Sequence, residues 1–226
     1  MPALKAVLFD VDGTLVDTVD LHAKAWVQTF RHFGIATTFD EIRRQIGKGG
    51  DQLLPGLVPP DMLEQRQEEM EAFRADLFKR EFMPRVKPFP GVPELFRRIR
   101  GAGIRIALAS SGKDEEVASH KKLLGIEDLV DAATTSDDAE RSKPFPDIFA
   151  AAARKLGLSD PAEALVVGDT PYDAEAARAG GFSAIGVLCG GFAEDALRAA
   201  GCAAVYEGPQ HLLDRFEESP FVRGFA

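Results

Sequence analysis

The chain has 226 residues, 45% of them hydrophobic, with a formal charge of -9 and an isoelectric point near 5.0. That length and apolar content exclude a disordered segment and leave room for one sizeable domain, with or without an insert. The charge argues against a nucleic acid binder, which needs lysine and arginine to neutralise phosphates; a small anionic substrate stays open, because a metal or helix terminus can reverse the local field.

Met1-Pro2-Ala3-Leu4-Lys5 leads directly into the first apolar run, so no secretion signal is expected, and no apolar run is long enough to span a bilayer. Cys189 and Cys202 are the only cysteines and provide no disulfide framework. The expectation is a cytoplasmic protein, monomer or homodimer, without nucleic acid or membrane partners.

Ala6-Val7-Leu8-Phe9 is short, apolar and bounded by turn residues, which predicts a buried parallel strand. It runs into Asp10-Val11-Asp12-Gly13-Thr14, so Asp10 falls at the strand's carboxyl end, where open α/β sheets bind ligands, and Asp12 in the loop beyond. The pattern then turns helical: Leu21, Ala25, Phe30 and Phe33 recur at helical spacing until Gly34. A second helix is predicted from Phe39 to Ile46, before Gly47-Lys48-Gly49-Gly50 interrupts. A third runs from Leu63 to Phe82, with Met70, Phe73, Leu77 and Phe78 as its buried stripe and Glu64, Glu68, Glu69, Arg74 and Lys79 on its wet face. Pro84 and Pro88-Phe89-Pro90-Gly91 close this stretch, which predicts a helical cap over 17–86 inserted into a discontinuous core of 1–16 and 87–226.

Beyond the insert, helix and strand alternate. Helices are predicted over Val92 to Arg100, Glu115 to Leu124, Phe145 to Leu156 and Ala174 to Ala179. Strands are predicted over Ile104 to Ala109, Val130 to Thr134, Ala164 to Val167, Ser183 to Leu188 and Ala203 to Tyr206. The alternation implies an α/β fold, a mostly parallel sheet with helices on both faces. The terminal apolar residues Phe216 and Phe221-Val222 fit either packing on the core or contact with a partner.

Three polar clusters follow the first in order: Ser110-Ser111-Gly112, Ser142-Lys143-Pro144, and Gly168-Asp169-Thr170-Pro171-Tyr172-Asp173. The first and last repeat the apolar strand running into a polar turn, so acids, a hydroxyl and a lysine can converge at one sheet edge. Each has an ordinary reading alone: a calcium loop or N-cap for the paired acids, an N-cap for Ser110-Ser111, a surface lysine for Lys143, a capped helix start for Asp169 and Asp173. In this order the four motifs resemble the haloacid dehalogenase-like hydrolases, over nearly the whole chain. Asp10 to Thr18 is similar to the helical-cap branch that contains phosphoglycolate phosphatases and β-phosphoglucomutases.

The resemblance implies a Rossmann-like core and a Mg2+-dependent phosphatase acting on a small phosphorylated metabolite, phosphoglycolate or a sugar phosphate. It implies Asp10 as nucleophile, Asp12 as general acid and base, and Lys143 as the cation on the transferring group. Ser110 and the amides of Ser111 and Gly112 would bind phosphate together with Lys143. Asp10, the Asp12 carbonyl and Asp169 would hold Mg2+, with Asp173 as a water-mediated or second-layer partner. His22 lies in a stretch similar to β-phosphoglucomutases as a candidate substrate or proton-shuttle residue, yet a lone helical histidine is more often structural. Lys48 and Gly49 mark a candidate specificity loop, against the plainer reading of a turn between helices.

Asp12 argues against a dehalogenase, which lacks the second acid, and against a phosphonatase, which has a small residue there. A β-phosphoglucomutase-like mutase remains the alternative. Its cap arginine is missing where Gly47-Lys48-Gly49-Gly50-Asp51 aligns. A non-catalytic metal-binding protein on the same fold is the second alternative, weakened by the intact acid set.

Overall fold

The computed structural model describes residues 4–224, so the leader reading at Met1-Pro2-Ala3 and both outer ends of the expected core lie outside the described residues. The chain enters on β1 (Ala6–Phe9), passes β2 (Val16–Asp17) and then makes a helical excursion of α1 (Val19–His32), α2 (Phe39–Arg43), α3 (Gly50–Leu53) and α4 (Pro60–Leu77). It returns on β3 (Lys87–Pro88), which pairs antiparallel with β2 and ties the two connecting segments together. There follow α5 (Val92–Gly101), β4 (Arg105–Ala109), α6 (Asp114–Leu124), β5 (Ala132–Thr134), α7 (Asp147–Lys155), β6 (Ala164–Gly168), α8 (Pro171–Ala179), β7 (Ser183–Val187), α9 (Glu194–Ala200) and β8 (Cys202–Tyr206). The short helices α10 (Pro209–Asp214) and α11 (Pro220–Arg223) end the described chain.

Six strands make one parallel sheet in the order β5-β4-β1-β6-β7-β8. From β1 the chain builds outward through β4 and β5, then crosses back to build the other side from β6. The order therefore reverses around β1, and a crevice opens above the carboxyl ends of β1, β4 and β6. Phe9 is level with Leu108 on one side and Val167 on the other, so the residues just past these strands meet at one height.

Alternation along the strands divides the core into two layers. Val7 and Phe9 join Leu95, Phe96 and Ile99 of α5 on one face; Ala6 and Leu8 join α7 and α8 on the other. The β1 side chains are at most 1% exposed, and each large one contributes about 1.5–3 kcal/mol of burial. A third cluster, including Trp26, Phe30, Ile42, Leu53 and Met70, lies within the helical excursion. Helix α1 is apolar on two sides because Leu21 and Ala25 face the sheet-side cluster with Leu77, Phe78 and Phe82.

Some boundaries differ from expectation for local reasons. The long helix starts at Pro60, where proline suits a first turn, and gives way after Leu77 to a wide π turn over Phe78–Phe82. The strand expected from Val130 begins at Ala132, because the Asp131 carboxylate turns back to accept from the Ile106 amide at 2.8 Å. Helix α8 starts three residues early, at Pro171: Thr170 and Asp173 form a reciprocal capping box. Phe216 and Phe221 are buried against each other and the core, whereas Val222 is half exposed.

Candidate active site

Asp10 continues the β1 ladder by one bond, its amide donating to Val167 O at 2.9 Å, which fixes its side chain above the crevice. Its Oδ1 accepts from Lys143 Nζ, and its Oδ2 accepts from Thr14 Oγ1 at 2.9 Å. The same hydroxyl lies 3.1 Å from Asp169 Oδ1, so it serves one carboxylate at a time. Lys143 is 1% exposed and reaches Asp173 Oδ1 at 2.8 Å, with the Phe149 ring 5.4 Å from its ammonium. The other Asp173 oxygen caps α8, accepting from the Thr170 amide and hydroxyl at 3.1 and 2.7 Å.

Three buried carboxylates, Asp10, Asp169 and Asp173, thus face one buried ammonium, and their donor atoms lie within 4.8 Å of one another. Asp169 Oδ2 is buried without a hydrogen-bond partner. A Cβ on Gly13 or Gly190 would fall 2.4 or 1.7 Å from it, so only glycine backbone fits around this carboxylate. A net-negative cluster of hard oxygens with one unpartnered oxygen, Asp169 Oδ2, suits a divalent cation of the Mg2+ type.

Burial, with the Asp173 and Asp12 carboxylates, pushes Asp10 up to about 7 against the pull of Lys143. Burial, with the Asp10 and Asp173 carboxylates, raises Asp169 well above the usual carboxylate range. Burial works against the Lys143 ammonium, but Asp10 and Asp173 outweigh it and raise its value. Burial would raise Asp12 too; His22, His120 and Thr18 instead hold it well below the usual range. Asp12 Oδ1 accepts from Thr18 Oγ1 at 2.7 Å and lies 3.0 Å from His22 Nε2. The His22 ring stacks on Phe78 at 4.0 Å, within the π turn, and its Nε2 is 3.5 Å from Glu116 Oε1.

Ser110 is buried at the end of β4, and its Oγ accepts from the Gly112 amide at 3.0 Å. Of the two amides expected to face an anion, that of Gly112 is therefore turned onto Ser110, while Ser111 and Gly112 line the chamber. Lys48 Nζ donates to Gln45 Oε1 at 2.6 Å and sits 4.6 Å over the Tyr172 ring, also on the chamber wall. Gly49 is docked rather than loose. Its amide donates to Ser142 Oγ at 2.9 Å, and the Ser142 amide donates to Asp51 Oδ2 at 3.0 Å, directly before Lys143. Gly47 has φ +110° and no room for a Cβ, which would lie 2.7 Å from Thr170.

Two connected spaces result. An inner one of about 60 Å³ touches Asp10, Asp12, His22, Lys48 and Lys143; an outer one of about 260 Å³ extends between α4 and α6. Sequence reasoning missed several of the residues that shape them. Arg74 was expected in water, but its guanidinium lies 5.6 Å over Trp26 and 5.8 Å over Phe78, and its Nη1 is 3.9 Å from Glu116 Oε2. The helical spacing Met70, Arg74, Phe78 carried that signal. Thr14 links two acids, an arrangement that no spacing announces. Neither Glu116, in the first turn of α6, nor Ser142 stands out from its neighbours.

A family profile described as a haloacid dehalogenase-like hydrolase matches residues 4–181. Among characterised sequences, the phosphorylated carbohydrates phosphatase of Thermotoga maritima is 29% identical over 95% of this chain and 99% of that protein. Protein SUPPRESSOR OF QUENCHING 1 of Arabidopsis thaliana, a chloroplastic protein, is 32% identical over 81% of this chain, but the match spans 18% of that protein. A hydrolase from Pseudomonas syringae superposes with a TM-score of 0.85 at 31% identity, covering 95% of this chain and 98% of its own.

Proposed function

The chain belongs to the haloacid dehalogenase-like hydrolases, and we propose that it is a Mg2+-dependent phosphatase working through an aspartyl-phosphate on Asp10. The observation that carries this reading is the Asp10 carboxylate at the switch of the sheet, flanked by Lys143, Thr14 and the Asp169 carboxylate, whose Oδ2 has no hydrogen-bond partner among the described residues. Asp10 attacks phosphorus, and the leaving oxygen departs with a proton from Asp12. Water then attacks the phosphoryl group as Asp12 takes its proton, and the Asp10 carboxylate is released. The Asp12 carboxylate is held well below its ordinary range by His22, His120 and Thr18, and His22 Nε2 lies 3.0 Å from its Oδ1.

Phosphate monoester hydrolysis needs accelerations up to ~10²¹, whereas one acid or base contributes ~10²–10⁴, so electrostatics must supply much of the rest. Lys143 neutralises the group being transferred and is held in place by Asp173. Asp10 and Asp169 would hold Mg2+ with the Asp12 carbonyl, and Asp173, occupied with Lys143, would act indirectly. Held by these residues, a divalent cation would supply positive charge that offsets the negative charge of the transferring group and of Asp10. Ser110 and the Ser111 amide bind the phosphoryl oxygens.

The insert 17–86 acts as a cap, latched to the core through Ser142, that excludes bulk water during the reaction. Small phosphorylated metabolites of the sugar-phosphate type are the substrate range; the Thermotoga relative is named for phosphorylated carbohydrates. A phosphomutase would need a cap cation for its second phosphate; Glu116 offsets Arg74, and Lys48 is held by Gln45 and the Tyr172 ring. The test is phosphate release from sugar phosphates, phosphoglycolate and nucleotides with and without Mg2+, comparing wild type with Asp10→Asn. Mg2+-dependent release that disappears in the variant is expected. Undiminished release by Asp10→Asn would overturn the covalent mechanism.

A further inference from the structure

The outer space of about 260 Å³ opens from the reaction chamber, and Trp26, Arg74, Ser111 and Glu116 border both. A phosphoryl group seated on Asp10 directs its leaving group into this space, so the wall decides what can leave. That wall is lopsided in charge. Asp51, Glu71, Glu116 and Glu140 line it against only Arg74 and Lys113. Both cations already face carboxylates: Arg74 Nη1 lies 3.9 Å from Glu116 Oε2, and Lys113 Nζ donates to Asp137 at 2.6 Å. Among the described residues of this outer wall, each cation thus faces a carboxylate; Lys48, which has no ion pair, borders the inner chamber instead.

The acceptors are in the opposite condition. Asp51 accepts from Ser142 and Gln52, and Glu71 from Gln67. Glu116 Oε1, which lies 3.5 Å from His22 Nε2, and Ser136 Oγ, by contrast, are buried and make no hydrogen bond among the described residues. Buried polar atoms in folded proteins are nearly always satisfied, and an unmet acceptor on a ligand wall is satisfied when the ligand brings the hydrogen. A carboxylate accepts and never donates while ionised, so Glu116 favours hydroxyl or ammonium groups and repels carboxylate or phosphate.

We propose that Glu116 and Ser136 are specificity-determining residues that select a phosphomonoester whose leaving group is a polyol or amino-polyol and reject one bearing a second anion. This rests on the phosphatase reading above and names the substrate class for that same site. Glucose 6-phosphate and glucosamine 6-phosphate stand for the accepted class, 2-phosphoglycolate and pyrophosphate for the rejected one. p-Nitrophenyl phosphate reports hydrolysis with neither feature.

The experiment measures kcat and KM for these five compounds with Mg2+ in the wild type, Glu116→Gln and Ser136→Ala. In the wild type, kcat/KM for the two sugar phosphates should exceed that for 2-phosphoglycolate and pyrophosphate by about tenfold or more. Glu116→Gln should narrow that ratio severalfold, chiefly through KM for the sugar phosphates, and Ser136→Ala should narrow it less. Equal wild-type values for both classes would overturn the proposal. So would a Glu116→Gln variant that slows every compound by one common factor, since that marks a role through His22 instead. Loss of phosphate release from all five compounds in the wild type would overturn the phosphatase reading itself, and this inference with it.

Discussion

The floor and the wall of the pocket are built in different ways. On the floor, Asp10, Lys143, Asp169 and Asp173 are 5%, 1%, 0% and 2% exposed, and each is fixed by a strand end, a helix cap or a buried ion pair. On the wall, the Arg74 and Glu116 side chains are 19% and 12% exposed and come from helices α4 and α6, which meet only in the folded chain. The floor side chains constrain one another, so a change in one disturbs the rest. The wall has a looser arrangement, in which substitution alters what fits without unsettling the sheet. In the proposed mechanism, reaction chemistry thus belongs to the most cooperative part of the molecule and selectivity to a part with freedom to vary.

Lys143→Met gives the largest effect expected if the floor is one electrostatic unit. It leaves three buried carboxylates without their cation, and breaking such a pair costs about 3–5 kcal/mol. Thermal unfolding should show a marked drop in Tm, and kcat should fall by roughly 10²–10³ or more. A variant with wild-type stability would mean the floor residues do not depend on one another.

Removal of the divalent ion should have a smaller, pH-dependent effect. Asp10 is pushed up to about 7 and Asp169 is raised, in both cases chiefly by burial. A carboxyl raised above its unfolded value favours the fold while protonated, and that contribution is lost as pH rises through the folded value. The metal-free protein should therefore lose stability between about pH 4 and 7, from the ordinary carboxylate value of 3.8 up to the Asp10 value near 7. Mg2+ should raise Tm more at pH 8 than at pH 5.5, because protons compete for its ligands at the lower pH. A Mg2+-induced shift in Tm that is larger at pH 5.5 would contradict the ligand set.

Ser142→Ala probes the seam between floor and wall. It removes the acceptor for the Gly49 amide beside Lys143, at a net value of about 0.5–1.5 kcal/mol. KM should rise a few-fold with kcat changing little, as expected for weaker cap docking. A collapse of kcat comparable to that of Lys143→Met would show that Ser142 belongs to the floor.

What the sequence made legible follows the same division. Apolar runs ending in Asp10, Ser110 and Asp169 identify parallel strands and the side on which their termini gather, because local pattern and turn chemistry determine both. Asp173 was readable either as a helix cap or as a partner of the site, and its two oxygens do both. Arg74 was misread because charge outweighed periodicity in assigning the face of α4, although it stands in line with Met70 and Phe78. Glu116 and Ser136 were not legible at all. Their significance comes from unmet hydrogen bonds on the wall of a cavity, which exists only after α4 and α6 have come together.

The most direct test of the central claim is to acid-quench the enzyme during turnover of a phosphate ester, reduce it with borohydride and map the product by peptide mass spectrometry. Conversion of Asp10 alone to the reduced residue, absent without substrate, is the result expected of an aspartyl-phosphate at that position. Turnover with no reduction at Asp10, or with the phosphoryl group on another residue, would contradict it.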